Sequence, residues 1–131
     1  MFRVPTYVSR SSIHGYGVFA AARIPRGTVV WEFDPEADWA LTDAEMAAFP
    51  AKLREQMEAW TYLSEDGMYI LCSDGAKFMN HSFDPNCNDE GPKYTVAARD
   101  IEVGEELTCD YRAFDENSKK NGLPEYQRAA S

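Results

Sequence analysis

The sequence has no apolar run approaching the ~18 residues of a membrane-spanning helix. Its opening stretch, MFRVPTYVSRSS, also lacks the apolar centre of a secretory signal. Neither membrane insertion nor export is expected. Cysteine is scarce: three residues, an odd number with no C-x-x-C pair, argue against a disulfide framework and fit an intracellular, reducing compartment. Basic residues are outnumbered, 13 Lys and Arg against 22 Asp and Glu, giving a net charge of −9. An acidic globule repels nucleic-acid phosphate and attracts basic partners, so a Lys-rich protein segment is expected rather than DNA or RNA. The same charge also serves solubility alone. There is no internal repeat. The 131 residues suit one domain, 1–131, which at that size buries roughly two-thirds of the surface of its unfolded chain.

What is present is mainly short β-strands. GYGVFAA and GTVVWEF read as strands joined by the Pro25–Gly27 turn. TYLSEDGMYILC reads as a hairpin turning at Asp66-Gly67, and KYTVAA and ELTCDY complete the strands. A helical insert is expected over about 41–60, where Thr42 and Glu45 form a capping box and Pro50 opens a second helix. Leu53, Met57 and Trp60 share one face of that helix, which predicts a stripe in the core or on the underside of a lid rather than a cofactor box. The tail, about 112–131, is polar and rich in turn formers, and its order is expected to depend on a ligand or partner.

The stretch FMNHSFDPNCN (78–88) gathers a His, a Cys, an Asp and three Asn around Pro85. A calcium loop would use Asp84, Asn86 and Asn88, yet Asp89 stands where the sharp turn needs Gly and Thr95 where a bidentate Glu belongs. A zinc site would use Cys72, His81, Cys87 and Cys109, which lack ligand spacing and fall in expected strands or beside proline. The remaining reading is a tight turn in which Asn80 and His81 line a small-molecule pocket.

Taken together and in order, SSIHGYGVFAAARIPRG, KFMNHSFDPNCN and DIEVGEELTCDY resemble the SET-domain protein lysine methyltransferases, over roughly Thr6 to Tyr111. The Gly15-Tyr-Gly17 element alone is weak, whereas the second and third blocks are specific. The resemblance implies a mainly β SET-domain fold of several small antiparallel sheets with a knot-like crossing and a short helical insert. It implies S-adenosylmethionine as cofactor, with Gly15, Tyr16 and Gly17 against its methionine part and Asn80 and His81 at its amino-acid and adenine ends. Asp84, Pro85 and Asn86 are expected to shape the turn. Tyr111 matches the family's catalytic tyrosine. Tyr62, Asp89, Cys109 and Phe114 would line the substrate channel, with Phe114 or Tyr126 closing it from the tail. No metal is expected.

Cys109 and Asp89 stand where relatives place aromatic gates, which predicts a pocket able to hold a di- or trimethylated lysine. The cysteine-rich flanks of many chromatin enzymes have no counterpart here, as in the compact members, so the tail or a second copy of the chain would complete the site. Glu102, Glu105 and Glu106 could read basic residues of the substrate, or form a solvated loop. The implied chemistry needs a neutral amine. With a free Lys pKa near 10.4, deprotonation at pH 7 costs roughly 4–5 kcal/mol, which an apolar channel beside a sulfonium would lower. The expected activity is methylation of lysine on a basic, histone-like protein. The alternative is a non-catalytic acidic protein-binding module on the same fold.

Overall fold

The computed structural model of the chain describes residues 1–90 and 94–123. Three small sheets carry the fold. The first is ordered β1-β2-β10-β7, from β1 (Thr6–Arg10), β2 (Tyr16–Ala20), β10 (Glu106–Cys109) and β7 (Asn80–His81). The second is β3-β9-β8, from β3 (Val29–Glu32), β9 (Tyr94–Ala97) and β8 (Cys87–Asp89). The third is β4-β6-β5, from β4 (Trp39–Leu41), β6 (Tyr69–Leu71) and β5 (Thr61–Leu63). The pairings are antiparallel except for β7 with β10, where Asn80 faces Thr108 and His81 faces Cys109 in parallel register. That pair brings the Asn-His block alongside the C-terminal motif, which no local signal encodes.

Val18 and Ala20 of β2 and Leu107 of β10 are wholly buried, and with Val30, Ile24 and Ile101 they form the main core beneath the sheets. β1 has no counterpart in the sequence reading. Its TYVSR is exposed along nearly its whole length, so it shows no in–out alternation, and only its ladder with β2 makes it a strand. β4 escaped notice for the same reason: Trp39 and Ala40 are exposed and Leu41 alone is buried.

The insert forms two helices, α1 (Asp43–Ala48) and α2 (Ala51–Trp60). Thr42 Oγ1 accepts from the Glu45 amide at 3.1 Å while the Glu45 carboxylate accepts from the Thr42 amide at 3.1 Å, so each satisfies a backbone donor that the first turn leaves open. Pro50 sits at the N-cap of α2. The expected stripe divides: Met57 joins Leu41 and Met46 in a second small core, Leu53 is exposed and Trp60 lines a cavity. The tail is also more regular than its composition suggests. Asp115 caps α3 (Glu116–Asn121), Gly122 ends it at φ 79°, and Leu123 is buried. Tyr126 lies outside the described residues. Among the described residues, no helix is long and apolar enough to cross a membrane.

Candidate active site

A cavity of about 350 Å³ opens between the first and third sheets and the start of the tail. That volume lies in the range of small-molecule sites. Gly15 and Tyr16 line it from the front of β2, Asn80 from β7, Cys109 and Tyr111 from the end of β10, and Tyr62, Asp89 and Phe114 from the far side. Eight of the ten residues singled out from the sequence therefore meet in one cavity although up to 99 positions separate them.

Asn80 is buried, and its amide nitrogen lies within hydrogen-bond distance of the His14 carbonyl (3.0 Å), the Tyr16 carbonyl (3.1 Å) and Glu106 Oε2 (2.9 Å). These bonds hold the loop before β2 in place, and Gly15, at φ 50°, supplies the left-handed turn in it. Ser11 Oγ donates to Glu106 Oε1 at 2.7 Å, closing the network from the end of β1. Glu106 is thus an internal anchor rather than a reader of substrate. The other two acids of that run are also engaged, Glu102 with Arg23 at 3.3 Å and Glu105 with the Asn86 amide at 3.3 Å.

Gly17 and His81 stand apart from the cavity lining. Gly17 faces Glu106 and Ser11, so its missing Cβ makes room for the network. His81 is wholly buried and packs edge-on against Phe83 and Tyr111. Its Nδ1 accepts the Tyr111 backbone N–H at 3.1 Å, which requires that nitrogen to be unprotonated. Burial holds its pKa below the usual value against the upward pull of Asp110, in keeping with a neutral ring. Its side chain positions Tyr111. Asn86 likewise does more than shape a turn. Its Oδ1 accepts the Thr108 amide at 2.8 Å and its Nδ2 donates to the Glu106 carbonyl at 2.8 Å, so it pairs with β10 as a strand would.

The Tyr111 hydroxyl donates to the Met79 carbonyl. Its single proton is committed there, and the oxygen keeps lone pairs for another partner. Phe114 stands edge-on to both Tyr111 and Tyr62, at centroid distances of 5.9 and 5.0 Å, forming an aromatic wall. Asp115 fixes this wall by accepting the Leu63 amide at 3.0 Å. Burial pushes the Tyr62 phenol and the Cys109 thiol well above their usual values, and Cys72 up to about 12, so these groups are neutral. Among the described residues, no group of three or more His, Cys, Asp or Glu is arranged to hold a metal.

Trp60 and Lys77 are among the lining residues that the sequence reading did not place at the site. Trp60 lines the mouth from the end of α2, and Lys77 lies 5.2 Å from the Phe78 ring and 5.8 Å from the Trp60 ring. Only the adjacency of Trp60 to Tyr62 could have hinted at this. The rings of Phe78 and Trp60 beside the Lys77 ammonium suit a ligand with a flat heterocycle and a carboxylate, as S-adenosylmethionine has.

A family profile described as SET domain matches residues 15–112. The chain therefore belongs to the SET-domain family. It is 34% identical over 128 residues to human histone-lysine N-methyltransferase 2B, covering 89% of this chain and 5% of the relative. It is 31% identical over 137 residues to a Chaetomium globosum histone-lysine N-methyltransferase specific for H3 lysine-4, covering 92% of this chain and 12% of the relative. The chain thus spans about an eighth or less of the length of these relatives. Among solved structures it resembles Chaetomium thermophilum Polycomb Repressive Complex 2 bound to S-adenosylmethionine, with a TM-score of 0.63 at 22% identity over 90% of this chain and 16% of that chain. That likeness is one of fold.

Proposed function

We propose that the chain transfers a methyl group from S-adenosylmethionine to a lysine side chain of a basic, histone-like protein. The observation that carries this reading is the convergence of Gly15, Tyr16, Asn80, Cys109 and Tyr111, from all three sequence blocks, on one cavity. The relatives' names and the net charge of −9 support a basic protein substrate.

The cofactor would supply an electrophilic methyl group on a sulfonium. Gly15 and Tyr16 would approach it with backbone, and Asn80 would hold their loop in the competent shape. Tyr62, Phe114 and Tyr111 would form an apolar aromatic channel for the lysine stem. Desolvation there favours the neutral amine, the form that has a lone pair. The Tyr111 oxygen, its proton given to Met79, would accept from the amine and face the transferring methyl, aligning the two reactants. Cys109, smaller than an aromatic residue, would leave space in that channel, which supports methylation beyond the first step.

The test is titration calorimetry of S-adenosylmethionine and S-adenosylhomocysteine on wild type and Asn80→Ala, followed by methyl transfer to a basic protein extract. Binding weakened by Asn80→Ala, with transfer to a discrete substrate, is the expected result. Absence of binding to either ligand would overturn the reading.

A further inference from the structure

Two carboxylates line the cavity, Asp89 and Asp115. Asp115 is occupied: it caps α3, accepts the Leu63 amide, and receives the Ser118 hydroxyl at 2.7 Å. Asp89 is different. It ends β8 opposite Thr95 of β9, and its Oδ1 accepts the Thr95 hydroxyl at 3.0 Å. Its Oδ2 is buried, on a side chain that lines the cavity, and has no hydrogen-bond partner among the described residues. A buried carboxylate oxygen without a donor is costly and uncommon, so its retention calls for a partner that arrives from outside.

The surroundings define that partner. Tyr62 of β5, Cys72 just after β6, Cys87 of β8 and Cys109 of β10 are neutral, since burial pushes their pKa values upward. Asp110 is held below the usual carboxylate range by its bonds from Arg112, and remains an anion. His81 is held below its usual value by burial, and His14 stands at the cavity lining. Among the described residues, no basic side chain pairs with Asp89. The cavity therefore holds an acceptor and a latent negative charge with aromatic walls about it, the complement of an ammonium group bearing N–H.

We propose that Asp89 receives the substrate's ammonium group, Oδ2 accepting its N–H and then its proton, so that the amine is left with the lone pair that attacks the methyl carbon. The inference rests on the methyl-transfer reading above for its substrate. In the transfer the N–H bond breaks, its electron pair stays on nitrogen, and an O–H bond forms, making Asp89 a neutral carboxylic acid. That acid returns its proton to water when the product leaves. Burial favours this direction because it penalises charge on both partners, and it already pushes the Asp89 carboxyl up to about 6.

The experiment uses n-butylammonium as a probe for the lysine side chain, titrated by NMR into wild type and Asp89→Asn, each with S-adenosylhomocysteine. The asparagine keeps the oxygen that accepts from Thr95 and removes the charge. Expected is a loss of probe affinity of about tenfold or more in D89N. Wild-type affinity should fall below about pH 6 as the carboxyl is protonated, and D89N should lack that step. Equal affinity in the two proteins within about twofold would overturn the inference. So would a pH step that persists in D89N, which would belong to another group, or a wild type that binds S-adenosylhomocysteine but not the probe. Should D89N fail to fold, a wild-type probe affinity that shows no step near pH 6 would overturn the inference. Asp89-dependent binding of the probe without any S-adenosylhomocysteine binding would leave this site standing and remove the methyl-transfer reading.

Discussion

The carboxylate of Glu106 occupies the space beside Gly17 that a side chain would need, its Cδ only 2.8 Å from where a Cβ would stand. Because Ser11 and Asn80 both bond to that carboxylate, it cannot simply swing away. Gly17→Ala should destabilise the fold by about 1–3 kcal/mol, as overpacking does. It should also weaken S-adenosylhomocysteine binding, because Asn80 would lose its anchor. Urea unfolding and calorimetry on the same preparations check both effects. A variant as stable as wild type would show that Glu106 relaxes at no cost.

Tyr111→Phe removes the hydroxyl and with it the bond to Met79, but keeps the ring against Phe114 and His81. Turnover should fall by roughly 10²-fold or more while cofactor affinity stays within a few-fold, the pattern of a group that acts on the reacting atoms. Single-turnover transfer with labelled S-adenosylmethionine separates the two quantities. A comparable loss of affinity would recast Tyr111 as part of the cofactor's seat.

Cys109 is buried, only 4% exposed, and lines the cavity. Cys109→Phe should fill the base of the channel and limit the product to one methyl group, whereas wild type should proceed further. Mass spectrometry of an exhaustively methylated substrate distinguishes them. A wild type that stops at monomethyl-lysine would remove the roomy-pocket reading.

Asp89 also predicts a pH-dependent stability. Burial raises its carboxyl to about 6, against the Thr95 bond that lowers it, while Asp110 adds to the rise. The folded chain therefore binds this proton more tightly than the unfolded chain, whose carboxyl has the ordinary value of 3.8. The stability this contributes is fully present below 3.8 and is lost as pH rises through about 6. Asp89→Asn has no such loss, so at about pH 8 it should be the more stable protein, by on the order of 1–3 kcal/mol. The difference should shrink toward zero near pH 4. Urea midpoints at the two pH values measure it, and a pH-independent difference would contradict the burial of this group.

Local features were legible where their physics is local. The capping box of Thr42 and Glu45 lies within one helical turn, and the Asp66-Gly67 turn is set by Gly67 at φ 81°. Exposed strands were not legible. TYVSR of β1 has no buried face to create an alternating pattern, and its partner, β2, supplies the missing information. Trp60 was open between core and a lid's underside because helical spacing shows which residues share a face but not whether that face meets core or cavity.

By itself, the sequence determined the three motif blocks, the mainly β character, the acidic balance and the residue types brought to the site, since these depend on composition and short-range spacing. Only the tertiary structure decided what each residue faces. The parallel pairing of β7 with β10 set Asn80 beside Glu106 and put His81 behind Tyr111, while the antiparallel pairing of β2 with β10 left Gly17 under a carboxylate. It also decided that one oxygen of Asp89 lies buried without a donor among the described residues. Such relations join positions far apart in the chain. They follow from which surfaces the core forces together, and no local preference of the backbone records them.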